Sequence, residues 1–147
     1  MGNRCVIATE KKTVGIYLHW NGGRGSVEGF LLYCKLQGYR KPETDNYGWA
    51  RLCQVIGNFF GGTTSIGIDV YKYLDTDNGD NGTYIIKDWA IVKRLHFSGE
   101  EQEDANIYEF LHAIDKNQPE KLFPENATVK EVEELVLELE RKYQKNL

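Results

Sequence analysis

Short β-rich runs open the chain, RCVIAT at 4–9 and TVGIYLHW at 13–20, with Glu10, Lys11 and Lys12 between them. Two such runs around a charged stretch predict a β-hairpin with a loop of three or four residues. After Asn21-Gly22-Gly23-Arg24-Gly25-Ser26 the period changes: Val27, Phe30, Leu31 and Cys34 fall at i, i+3, i+4 and i+7. That spacing predicts a helix from about Ser26 to Gly38, with Pro42 beyond it. Thr44-Asp45-Asn46 offers an N-cap for a second helix, whose wide apolar face holds Trp49, Ala50, Leu52, Cys53, Ile56, Phe59 and Phe60 and which ends at Gly61-Gly62.

Ile66, Ile68 and Val70 alternate with Gly67 and Asp69, the period-two signature of a half-buried strand that Tyr71–Leu74 would extend. The stretch DTDNGDNG at 75–82 carries two Asn-Gly pairs and reads as a turn into further strands at Tyr84–Ile86 and Trp89–Phe97, with Lys87-Asp88 as a bulge or second turn. Its carboxylates and amides do not make a calcium loop, because Gly79 stands where an oxygen ligand is needed and no helices flank it. An acidic connector follows at 98–104, then Ile107, Phe110, Leu111 and Ile114 at helical spacing, a linker at 117–126 with Pro119 and Pro124, and a Thr128-x-x-Glu131 capping box opening a last helix to about Lys145. The order ββαα, three strands, αα predicts the α+β class: an antiparallel sheet with helices packed on one side and a C-terminal helical appendage. Residues 1–117 form the expected domain and 118–147 the linker and appendage. The stripe Val132, Leu135, Val136, Leu139 and Tyr143 on that last helix needs a cover, either the body of the protein or a second copy, and the second choice predicts a homo-oligomer.

Composition sharpens the picture in three places. A chain of 147 residues, 41% hydrophobic, can bury a real core, which excludes wholesale disorder. Cys5, Cys34 and Cys53 are an odd set without CxxC spacing and read as small buried hydrophobes rather than disulfides or metal ligands. The formal charge of −4 divides unevenly: residues 1–97 sum to +3 and residues 98–147 to −7. No dense basic face exists for duplex nucleic acid, while a small anionic ligand remains compatible with the basic part. No apolar run reaches the length of a membrane span and the N-terminus lacks the apolar core of a signal peptide, so the protein is expected in the cytoplasm.

Candidate chemistry centres on the glycine-rich turn. A strand that passes through Gly22-Gly23-Arg24-Gly25-Ser26 into a helix leaves backbone N–H groups free at the positive end of the helix dipole, suited to phosphate or another anion. Glycine would let a ligand approach the backbone, Arg24 would add a bidentate fork and Ser26 a hydroxyl from the cap. The plainer alternative is a tight β-to-α turn. Tyr47, Trp49 and Arg51 at the start of the second helix would add stacking on a base and a phosphate contact, completing one nucleotide pocket, unless Trp49 belongs to the core. Catalysis finds less support: His19, His96 and His112 meet no specified nucleophile, Gly-x-Ser-x-Gly and His-x-x-Glu-His are lacking, and Glu28 is a lone carboxylate beside the glycine turn. A non-enzyme without cofactor or metal is expected.

In the strings GIYLHWNGGR, GWARLCQVIGNFFGG and LDTDNGDNG, across roughly residues 1–97, the chain resembles a group of small proteins of Firmicutes and their phages and mobile elements. No activity carries over from that group. The phage-linked setting implies a counter-defence factor in the host cytoplasm, acting by sequestering an anionic nucleotide-like immune signal or, like an anti-CRISPR, by occluding a host defence protein through the acidic surface. A small hydrolase or transferase at the glycine turn is the remaining reading.

Overall fold

The computed structural model describes residues 2–62, 65–103 and 105–145. β1 (Cys5–Ala8) and β2 (Val14–Leu18) form the expected antiparallel hairpin, joined by residues 9–13. α1 (Arg24–Leu36) and α2 (Asn46–Phe60) follow, then β3 (Ile66–Val70), β4 (Thr83–Lys87), β5 (Ala90–Leu95), α3 (Ile107–Lys116) and α4 (Val129–Lys145). Thr63, Thr64 and Asp104, from the predicted loop and acidic connector, lie outside the described residues.

The five strands are ordered β3-β2-β1-β4-β5. All neighbouring pairs are antiparallel except β1 and β4, which run parallel with Val6 opposite Thr83 and Ala8 opposite Ile85. The α+β class therefore holds, with a mixed sheet. DTDNGDNG does not join two paired strands. β3 and β4 are separated by β2 and β1, so the chain from Tyr71 to Gly82 must cross the sheet, and the hairpin turn lies later, at Asp88 and Trp89 between β4 and β5. Both turn residues have positive φ, 53° and 60°, as a two-residue type I′ turn requires. Tyr71–Tyr73 forms a 3₁₀ turn instead of extending β3. It starts where the Tyr71 N–H donates to the Thr13 carbonyl, after which the chain leaves the sheet edge.

That crossover explains why β1 is buried on both faces. Cys5, Ile7, Ile16, Leu18, Tyr84 and Ile86 point to the helices and join Phe30, Leu31, Leu52 and Ile56 in the main core. Val6, Ala8 and Ile85 point the other way and are equally buried. On that side Leu74 reaches Gly15, where a Cβ would meet its Cδ1 at 2.7 Å. Asn78 organises the segment from within: its amide donates to the carbonyls of Asp75 and Gly82, and its oxygen accepts from the N–H groups of Asp80 and Gly82. Arg4 ties it to β1 through Asp80, at 2.8 Å.

The C-terminal segment is part of the same body. Thr128 and Glu131 make the reciprocal bonds of a capping box, each at 3.2 Å. Val132 and Val136 are buried in the main core, with Leu135 and Leu139 packed beside them. The Tyr143 hydroxyl donates to Asp88 at the β4–β5 turn, 2.7 Å away. The stripe that predicted an oligomer is thus covered by its own chain. The linker is tightly held as well: the buried Asp115 carboxylate accepts from the Tyr33 hydroxyl and from the N–H groups of Leu122 and Phe123.

Candidate functional site

The glycine-rich turn owes its shape to crowding. Asn21 takes a left-handed conformation, φ 57°. Gly22 is pressed against the start of β1: its N–H donates to the Asn3 carbonyl at 2.8 Å, and a Cβ would lie 2.4 Å from that same oxygen. Its own carbonyl accepts from the buried Tyr84 hydroxyl at 2.7 Å. Gly22 therefore serves close packing of backbone on backbone rather than ligand approach.

Gly23, not Ser26, is the N-cap of α1, and among the described residues no side chain caps it. The first helical bond runs from the Val27 N–H to the Gly23 carbonyl, so the N–H groups of Arg24, Gly25 and Ser26 have no partner within the helix. Ser26 sits in the first turn and its hydroxyl accepts from the Asn21 amide at 3.3 Å. Arg24 is not a free fork, since its guanidinium pairs with Glu28 one turn on, at 2.7 Å.

Beside this uncapped start lies a cavity of 230 Å³ lined by Asn21, Gly23, Gly25, Ser26, Glu28, Gln102, Glu103, Ala105, Ile107 and Phe110. Gly23 and Ser26 fall within the predicted site. Gln102, Glu103 and Phe110 were not signalled by it: the first two stand in a connector that reads as solvated, and Phe110 on an apolar stripe that reads as core. Phe110 does meet the core, edge-on to Phe30 and Phe59. Gln102 is placed by Asn3, whose amide donates to it at 3.3 Å.

Tyr47, Trp49 and Arg51 do not join this site. Phe30 in the first half of α1 packs against Phe59 and Phe60 at the end of α2, so the start of α2 lies beyond the far end of α1. Thirteen helical residues separate the two, roughly 20 Å at 1.5 Å per residue. Trp49 is only 7% exposed and belongs to the core. Both Arg40 and Arg51 place their guanidinium carbons 4.4 Å from the centroid of the Tyr47 ring, which leaves that ring engaged. Asp45 caps α2, accepting from the Tyr47 N–H at 2.7 Å, and also pairs with Arg40. The single nucleotide pocket expected from sequence is therefore two unconnected places.

Several other chemistry-bearing groups are engaged, although Glu43 Oε1 and Arg51 Nε are buried without a hydrogen-bond partner among the described residues. Cys5, Cys34 and Cys53 are free thiols, and burial pushes all three above the ordinary cysteine range, away from nucleophilic use. His19 shares a 2.9 Å hydrogen bond with the Tyr17 hydroxyl. A second cavity, of 330 Å³, adjoins His112 and Lys121, but the Lys121 ammonium already caps α3 through the carbonyls of Asp115 and Lys116. Among the described residues no three His, Cys, Asp or Glu side chains converge to hold a metal, and no helix is long and apolar enough to cross a membrane. Comparison with family models, curated proteins and solved structures gives no match to this chain.

Proposed function

We propose that the protein is a non-enzymatic binding protein that takes one end of a small nucleotide-like ligand in the cavity at the start of α1. The observation that carries this reading is the conjunction of three N–H groups without helical partners and a 230 Å³ cavity bounded by carboxylates. The N–H groups and the helix dipole favour an acceptor or anion. Glu28 and Glu103 favour amino donors and repel a bare polyanion. A ligand with both kinds of group fits this pairing, as a nucleotide with its phosphate and donor-rich base does, and Phe110 offers a face to the base. The cavity is smaller than the roughly 300–1,000 Å³ that encloses a drug-sized molecule, so part of the ligand would remain outside. Counter-defence in a host cytoplasm rests on the resemblance to phage-linked proteins alone.

A second reading, inhibition of a basic host protein, draws on α4, where Glu131, Glu134 and Glu138 are exposed together with Leu137 at 52%. Calorimetry against cyclic dinucleotides, cyclic ADP-ribose isomers, NAD and inorganic phosphate distinguishes these. Saturable binding of one nucleotide, recovered intact and lost in Gly23→Asp, supports the first reading. Binding by phosphate alone, or by none of the panel, overturns it. A processed product would point to an enzyme. Loss of host-protein binding on reversing the α4 glutamates would support the second.

A further inference from the structure

The two outer strands of the sheet are protected very differently. β5 carries the exposed Lys93, and the β4–β5 ladder is broken by a register shift at Ile85/Ile86, devices that discourage another strand from pairing. β3 reads Ile-Gly-Ile-Asp-Val, with one charge and no irregularity in its pairing to β2. Ile68 is 57% exposed and Val70 48%, although both share the helix-facing side of the sheet with their partners Ile16 and Val14. Tyr73, just beyond β3, is 70% exposed, and Trp20, whose N–H donates to Ser65 at the start of β3, is 48% exposed. Two of the eight large apolar residues that are exposed among the described residues, Ile68 and Val70, thus lie in this one strand, with Tyr73 and Trp20 beyond its two ends. The helical layer stops short of it.

The backbone at this edge is open on alternate residues. The bonds from His19 N–H to Ser65 and from Tyr71 N–H to Thr13 turn the odd-numbered positions of β3 inward to β2. The N–H and C=O groups of Ile66, Ile68 and Val70 therefore point outward, where the Val70 N–H donates to the carboxylate of its neighbour Asp69, at 2.7 Å.

We infer that β3 pairs with β3 of a second copy, antiparallel about a two-fold axis through Ile68, to make one continuous sheet. The strand is self-complementary in that register. Ile68 meets Ile68 of the other copy and Ile66 meets Val70, apolar against apolar on the helix side, and each outward N–H or C=O finds its counterpart. On the opposite face Asp69 falls across from Gly67, so no like charges are set directly opposite each other. A foreign strand would have to match this pattern by chance, whereas a second copy carries it. The inference stands apart from the ligand cavity at α1 and does not depend on it.

Val70 supplies a clean probe. Its φ of −59° is already that of proline, and its N–H makes no bond to β2, so Val70→Pro deletes an outward donor while leaving the β2–β3 ladder intact. Ile68→Lys places a charge at the axis on a half-exposed position. Sedimentation of the full chain across micromolar to hundred-micromolar concentration should show a monomer–dimer equilibrium for the parent and at least tenfold weaker association for both variants. Val92→Lys on β5 should associate like the parent, and thermal melts of each variant should show that it remains folded. A parent that stays monomeric throughout, or a dimer that survives both β3 variants while folded, overturns the inference. So would a dimer abolished by Leu137→Lys on α4 and indifferent to β3. If Ile68→Lys fails to fold, Val70→Pro decides alone.

Discussion

α1 and α2 begin in the same way for packing and in opposite ways for hydrogen bonding. Each start contains a glycine jammed against backbone: a Cβ at Gly22 would lie 2.4 Å from the Asn3 carbonyl, and one at Gly48 would lie 2.4 Å from the Arg40 carbonyl. Both starts border a cavity, of 230 Å³ at α1 and 390 Å³ at α2, yet α2 is closed by the Asp45 carboxylate, itself braced by Arg40, while α1 has a bare glycine at the cap. The glycines come from the demands of folding in both cases. What marks α1 as a place for something else is the missing cap, not the glycine content that first draws the eye in the sequence.

The largest effects should be common to the two starts. Gly22→Ala and Gly48→Ala each force backbone apart and are expected to cost about 3 kcal/mol in denaturant unfolding. A much smaller loss at Gly22 would mean that the turn has room to move and that its shape was not set by crowding. The next effect separates the starts. Asp45→Ala should cost about 1 kcal/mol through loss of the cap, whereas Gly23→Asp, whose Cβ pushes aside only the end of the Gln102 side chain 2.7 Å away, should leave stability within about 0.5 kcal/mol of the parent while abolishing ligand binding by filling the N–H groups and displacing Gln102 from the cavity. A Gly23→Asp protein that binds the ligand as well as the parent would place the site elsewhere.

Smaller still is Arg24→Ala. Both partners of the Arg24–Glu28 pair are more than a third exposed, so the change should alter stability by no more than about 0.5 kcal/mol. It should also free Glu28 to meet the ligand, leaving calorimetric affinity unchanged or improved. A tenfold loss would restore the arginine to the site. Burial, followed by the bond to Asp88, raises the Tyr143 phenol to about 12, so its contribution is complete below pH 10 and fades as the pH rises from there to about 12. The same bond, ahead of the charge of Lys41, lowers Asp88 below 3.8, so that side of the contact is lost only as the pH falls beneath that value. Tyr143→Phe should remove this contact's share of the alkaline loss and, because the same bond holds the Asp88 carboxylate down, reduce the loss on the acid side as well.

Local periodicity made most of this architecture legible. The helix stripes and the Asp45 and Thr128 caps are written within a few residues of one another, and each is found where those residues place it. The alternation at 66–70 places β3 but not its burial, since Ile68 and Val70 stand exposed at the edge of the sheet where the helices do not cover them. Long-range pairing is not written that way. Nothing near Asp75–Gly82 says that the segment spans two strands, because turn chemistry describes how a chain bends and not what it bends over. The Asp88-Trp89 turn was harder still, since a tryptophan at φ 60° is no turn residue by composition; it is held there by its indole N–H on the Tyr39 carbonyl. The site was half legible for the same reason. Gly23 and Ser26 are local to the helix start, but Gln102, Glu103 and Phe110 reach it only through the tertiary fold, and Trp49 could be assigned to core or pocket only once α1 and α2 were seen to run antiparallel.

The parallel pairing of β1 with β4 also bears on how the molecule comes into being. β1 is synthesised before the other four strands and lies in the middle of the sheet, but one of its two neighbours begins at Thr83. At roughly 5–20 residues per second, several seconds of translation separate the two. Through that interval a nascent hairpin of β1 and β2 holds an unpaired edge at what will be the centre of the protein, with Ile7 and Val6 lacking their final covers. Closing a sheet over so long a loop also slows folding relative to a chain of local contacts. A ribosome-bound fragment ending before residue 83 should therefore be sticky and protease-sensitive, with β1 covered at its second edge once β4 pairs beside it and the core closed only when α3 and α4 have followed.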